Sequence, residues 1–232
     1  MVTSSGTLVP GGIGVTPGSI ATTGPVNIAP SFMTSLGSGG RSAAERARKL
    51  KDAGVKGDLG KTEADAARGQ AGAEGELQAM ERWVRQGTKA DDIESLPEIQ
   101  NGPKNPDFRV KGVLTEVKTR VDPLGESSFI KDKIKEANNQ IKKSGLDKDS
   151  PMIGVDSKGP QGQVEIQLNG DSAATLSSYK AIEKQVTQSF RPDQSRSLHR
   201  VVVHDADGLV GEWVRNPSTG KIDLKAGRGH TP

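Results

Sequence analysis

The sequence predicts an α/β fold, a central mixed sheet flanked by helices and preceded by a flexible segment rich in Gly, Ser and Pro. Three observations predict it. Segments with apolar residues at helical spacing alternate with segments of strand-forming residues. Residues 105–118 read as a hairpin, with Val110 and Val113 flanking Lys111-Gly112. Residues 1–40 hold almost no charge, whereas charges are frequent from Arg41 onward. The expected division is a low-complexity linker over 1–41, a helical connector over 42–70 and one domain over 71–232.

Composition bounds the function classes. The 232 residues include 32 Lys and Arg against 29 Asp and Glu, a net charge of +3, and no cysteine. Disulfides and thiolate metal sites are thereby excluded. Hydrophobic residues make up 32% and aromatic ones 3%, too little to pack the entire chain, so part of it is expected to be unstructured. No apolar run approaches the ~20 residues that span a bilayer. The N-terminus also lacks the basic start of a signal peptide, so any export signal is expected on a longer parent chain. The mild basicity is compatible with a nucleic-acid partner.

Each element has its own signal. Ser42-Ala-Ala-Glu45 has the form of a capping box opening a basic helix that stops near Gly54. Gly57-Asp-Leu-Gly-Lys-Thr62 is not a phosphate-binding loop, because the required first glycine would fall on Val55. Thr62-Glu-Ala-Asp65 is expected to cap a second helix. A third helix carries Leu77, Met80, Trp83 and Val84 on one stripe and ends at Gly87. Residues 96–99 are expected as a short edge segment before the hairpin. Beyond it, Ser127 or Ser128 caps a helix whose Ile130, Ile134, Ala137 and Ile141 face inward, while Lys131, Lys133, Lys135, Lys142 and Lys143 face outward. Strands over 151–156 and 164–168, a helix over 171–190, and a hairpin of 198–204 with 209–214 follow, with a frayed tail after Asn216. The Asp205-Ala-Asp-Gly208 run lacks the remaining ligands of a calcium loop and reads as that hairpin's turn.

The chemistry concentrates on the first hairpin. A two-residue loop at Lys111-Gly112 sets Asp107 opposite Glu116 and places both on one face with Arg109, Leu114 and Lys118. Phe108, Val110, Val113, Thr115 and Val117 share the other, a core face. Directly opposed side chains lie roughly 4.5–5.5 Å apart at Cβ, where like charges destabilise the pair. A divalent cation removes that repulsion, and Mg²⁺ is commonly held by one or two carboxylates. Lys118 can neutralise what remains or orient a water molecule. The competing reading is a charged hairpin face in solvent. No Ser/His/Asp or Cys/His constellation can be built, and His204 reads as structural or, failing that, as a metal ligand or base.

Pro106-Asp107 followed by Glu116-Val-Lys118 resembles the motif of the PD-(D/E)xK nucleases. That family commonly has a glutamate on the helix before the hairpin, followed by a small residue, an apolar residue and a glycine. Glu76 with Ala79, Trp83 and Gly87 matches those offsets, although Glu76 also suits a first-turn acid favoured by the helix dipole. The chain from about residue 70 is similar to the C-terminal tRNA nuclease domains of CdiA-type contact-dependent growth inhibition proteins, with Thr119 following the lysine.

The resemblance implies a restriction-endonuclease-like core and a divalent ion, Mg²⁺ first, with Mn²⁺ or Zn²⁺ as alternatives. Asp107 and Glu116 would hold the ion and Glu76 would complete its shell, with Lys118 as the catalytic lysine. It further implies substrate contacts at Lys133, Lys135, Gln140 and Thr119, and RNA, tRNA above all, as substrate. The setting would be a toxin delivered from a secreted or cell-surface parent protein into a target bacterial cytoplasm, with a cognate immunity protein as partner. Two alternatives stay open: a DNA endonuclease on the same scaffold, and a non-enzymatic secreted interaction module.

Overall fold

A computed structural model describes residues 42–98, 104–120, 128–144, 146, 162–168, 176–216 and 218–228. The expected linker over 1–41, the strand expected at 151–156 and the start of the helix expected from 171 lie outside these residues.

Helix α1 (Ala43–Asp52) starts as its sequence predicts, the Ser42 side chain accepting the Glu45 N–H at 3.2 Å. Helix α2 (Gly60–Ala67) starts two residues before Thr62, with the Gly60 N–H donating to Asp58 Oδ1 at 2.8 Å. Thr62 therefore does not cap it, and its hydroxyl is committed elsewhere. The chain breaks at Gly69, whose φ of +77° favours glycine, and resumes as α3 (Ala71–Arg85).

The edge strand falls slightly earlier than expected. β1 (Ile93–Ser95) buries Ile93 completely and stops before Pro97, which has no N–H to give a ladder. It pairs antiparallel with β2 (Phe108–Val110), and β2 with β3 (Val113–Arg120). The hairpin register is the one the loop demands, Val110 opposite Val113 and Phe108 opposite Thr115. Lys111 and Gly112 both have positive φ, 50° and 81°, the twist that suits a two-residue hairpin turn.

Helix α4 (Phe129–Ser144) precedes β4 (Gly162–Leu168), which lies parallel to β3. Helix α5 (Leu176–Ser189) precedes β5 (Leu198–Asp205), parallel to β4, and β6 (Gly208–Arg215) returns antiparallel. The segment expected to fray instead forms β7 (Ile222–Gly227), antiparallel to β6. Gly220, with φ +69°, turns the chain, and Ile222 and Leu224 pack against the core. Among the described residues the strands make one seven-stranded mixed sheet in sequence order.

Two cores sandwich this sheet. On one face Ile130, Ile134, Ala137 and Ile141 of α4 and Tyr179, Ile182 and Val186 of α5 pack on Leu114, Val164, Ile166, Val201 and Val203. On the other, Leu77, Met80 and Trp83 of α3 pack on Ile93, Phe108, Val110 and Val117. From residues 42–70, Ala47, Leu50, Val55 and Leu59 are buried in this second core. Buried Arg46 donates to Glu81 of α3 at 2.9 Å, and Lys56 bridges to Glu94. Leu114 packs in the first core and Val117, on the opposite face, in the second, so both faces of β3 face protein. Thr115, Glu116 and Arg120 of β3 are consequently buried. Among the described residues no helix is long and apolar enough to cross a membrane.

Candidate active site

Alternation along β3 sends Leu114, Glu116 and Lys118 towards α4 and Val117 towards α3. Glu116 is fully buried. Asp107 lies just before β2 and is not laddered opposite Glu116 as the sequence implies. Its carboxylate turns onto the β3 backbone instead, Oδ2 accepting the Val117 N–H at 2.8 Å. The two carboxyls nevertheless feel each other's charge, which helps to push Glu116 upward. Glu76 arrives from α3, where Thr62 of α2 donates to its Oε2 at 2.8 Å.

Lys118 ties the acids together. Its ammonium donates to Glu116, reaches Glu136 Oε1 of α4 at 3.0 Å and contacts Gln140 Oε1 at 3.4 Å. Gln140 in turn donates through Nε2 to the Asn105 carbonyl at 2.6 Å. One amide thus joins Lys118 of β3, α4 and the loop that carries Asp107.

The electrostatics are strained in one direction. Burial raises Glu76, Asp107 and Glu116 above the ordinary carboxylate range, and the Asp107 charge adds to the effect at Glu76 and Glu116. The Thr62 hydroxyl opposes the shift at Glu76, while Lys118 and the Val117 N–H oppose it at Asp107. Burial would lower Lys118, but the charges of Glu116 and Asp107 outweigh it and hold the ammonium protonated. Ionising all three carboxyls would set three negative charges beside this one ammonium, and each acid holds its proton more tightly than usual. The Glu116 Oε2 atom is buried without a hydrogen-bond partner.

An all-oxygen donor set with an orphaned carboxylate oxygen suits a hard divalent cation. Among the described residues, no group of three or more His, Cys, Asp or Glu side chains is placed to hold a metal ion. A pair of carboxylates is enough for Mg²⁺ when waters and phosphates supply its other ligands. Asp107 and Glu116 fit that pair, with Glu76 within electrostatic reach.

The remaining expected residues divide. Gln140 is part of the cluster, and Lys133 joins it indirectly by donating to Glu136 Oε2 at 2.7 Å. Lys135 is exposed on α4, away from the contacts just described. Thr119 lies on the other face of β3 against Gly75, its hydroxyl buried without a partner. Thr62, Asn105 and Glu136 were not anticipated. Thr62 and Asn105 leave no local pattern to read, since their partners lie on other elements. Glu136 does leave one, standing three residues after Lys133 on one helix.

A second buried polar group lies across the sheet. Glu165 accepts from Trp83 Nε1 and Arg82, with His204 Nε2 at 3.9 Å. Burial, aided by the Arg82 charge, lowers His204 to about 4, so the imidazole is neutral near pH 7. That fits a structural histidine. Comparison with known proteins finds no matching family model, no matching curated protein and no matching solved structure.

Proposed function

We propose that the chain is a metal-dependent nuclease that hydrolyses phosphodiester bonds of RNA. The carrying observation is that Lys118 donates to buried Glu116 while Asp107 lies within reach of both their charges and Glu76 within reach of Asp107 and Lys118. They come from a helix, a loop and a strand, and a solvated hairpin face has no use for such convergence. The element order adds support. A helix, three antiparallel strands, a helix and a strand parallel to the third are compatible with the core that the PD-(D/E)xK resemblance implies. We carry the rest of the proposal from that resemblance: a toxin acting in a target bacterial cell, tRNA as substrate and a cognate immunity protein as partner.

Asp107 and Glu116 would hold the divalent ion, Mg²⁺ first, and Glu76 would complete its surroundings directly or through water. When bound, the ion supplies positive charge against the scissile phosphate and favours ionisation of the attacking water. Lys118 orients that water or stabilises the charge that develops on phosphorus-bound oxygens as the P–O bond to the leaving group breaks. The Val117 N–H holds Asp107, and Gln140 steadies Lys118 and the Asn105 carbonyl, so the groups stay aligned without substrate.

The test is incubation with bacterial tRNA and with plasmid DNA, in Mg²⁺ or EDTA, using wild type, Asp107→Ala and Lys118→Ala. Discrete tRNA fragments that disappear in EDTA and in both variants are the expected result. Cleavage of DNA alone keeps the chemistry and changes the substrate. No cleavage by a folded protein under Mg²⁺, Mn²⁺ or Zn²⁺ discards the nuclease in favour of an interaction module.

A further inference from the structure

Glu136 sits where hydrolysis has no need of an acid. Its two oxygens are divided between two ammoniums: Oε1 is 3.0 Å from Lys118 Nζ and Oε2 is 2.7 Å from Lys133 Nζ. Its charge reaches Asp107, in a cluster already short of positive charge. Burial works against its ionisation, yet the hydrogen bonds from Lys133 and Lys118 keep its carboxyl below the ordinary value. The side chain is 45% exposed, whereas that of Glu116 is 0% exposed. Glu136 can therefore swing into solvent while its neighbour Ala137 stays packed in the core.

A carboxylate clasped by two lysines occupies the place of a small oxyanion. Phosphate offers the same acceptor oxygens with more charge. The lysines would remain poised after exchange. Lys118 keeps Glu116 and Gln140, and Lys133 lies 5.9 Å from the Phe129 ring centroid, with Arg120 over the same ring at 4.9 Å.

We propose that Lys118 and Lys133 form a backbone-phosphate subsite for a nucleic-acid strand, and that Glu136 is its internal occupant, displaced when substrate binds. The subsite rests on the nuclease reading above and adds a residue that tunes affinity by competing with substrate.

The test uses the full chain as wild type, Glu136→Gln, Lys133→Ala and the double variant. Binding of a short fluorescent RNA oligonucleotide is read in EDTA, where no cleavage occurs, and inorganic phosphate serves as competitor. Glu136→Gln is expected to tighten oligonucleotide binding by roughly fivefold at low salt, with the gain shrinking as salt screens it. Adding Lys133→Ala should erase the gain. Unchanged binding in Glu136→Gln overturns the subsite. So does tightening that survives Lys133→Ala. Tighter binding of inorganic phosphate without tighter RNA binding overturns the nucleic-acid assignment. Melting curves of each variant confirm folding. Because binding is read without turnover, a protein that cleaves nothing still answers for the subsite. A protein that cleaves, but whose Glu136→Gln variant binds unchanged, loses only the subsite.

Discussion

At the residue level, three carboxyl groups share with one ammonium a space too dry to keep all of them ionised cheaply. Each carboxyl titrates above its ordinary value, burial being the first cause. For an acid whose pKa is raised by folding, the stabilisation is complete below the unfolded value and is lost as pH rises through the folded one. The metal-free protein is therefore expected to weaken as pH climbs from about 5 to 8 on account of this cluster. Added Mg²⁺ should raise the melting midpoint more at pH 8 than at pH 5.5, and a shift independent of pH would argue against an ion among these acids. Glu116→Gln separates stability from function. It removes a buried charge while Lys118 keeps Glu136 as a partner, so the midpoint at pH 8 in EDTA should rise by about 2–4 °C, or ~1 kcal/mol. Cleavage should fall by roughly 100-fold or more. A variant that loses stability in EDTA and keeps cleavage would contradict both halves.

At the element level, the approach of α3 to β3 is set by Gly75. A Cβ there would lie 1.8 Å from Thr119 Oγ1 and 2.9 Å from Thr119 Cβ, and Gln167 of β4 donates to the Gly75 carbonyl at 2.6 Å. The helix has no room to accept a methyl group, and the next residue is Glu76. Gly75→Ala is expected to cost about 1–3 kcal/mol by overpacking. It should also reduce cleavage, because the displaced helix carries Glu76 away from Asp107. Thr119→Ala added to it should recover part of the melting midpoint. Wild-type stability in Gly75→Ala alone would mean that the helix shifts freely. Thr119 thus serves as the floor beneath α3, and its position on the far side of β3 from Lys118 follows from strand alternation.

Across the whole molecule, both sheet faces are covered, and each core buries histidine or carboxylate groups that only folding brings together. His199 and His204 are both lowered to about 4, burial being the main cause, with His199 hydrogen-bonded at 2.8 Å to the Gly162 carbonyl. A histidine whose pKa is depressed by folding stabilises fully above its unfolded value near 6.5 and loses that stabilisation as pH falls. Acidification from pH 6.5 towards 4 is expected to cost on the order of 3 kcal/mol per histidine. His204→Gln should flatten the dependence of the melting midpoint over that window, and an equal slope in wild type and variant would remove His204 as its cause.

What the sequence by itself determined is local. The α/β class, the stripe of Ile130, Ile134, Ala137 and Ile141, and the hairpin turned at Lys111-Gly112 are all read from spacing, because helices and strands impose fixed periods on the residues they bury. The turn also sets which residues of β3 share a face, and so puts Glu116 beside Lys118. β7 was missed because its Gly-rich surroundings mask a short alternating run, and the polar composition of α1 and the loop after it hides four core residues, Ala47, Leu50, Val55 and Leu59. Only the tertiary structure decided the site's connections. Thr62 meets Glu76 across two helices, Gln140 joins Lys118 to the Asn105 carbonyl, and Glu136 bridges Lys118 and Lys133. Such contacts depend on how whole elements pack, and side-chain period alone carries no record of the partner an element will meet.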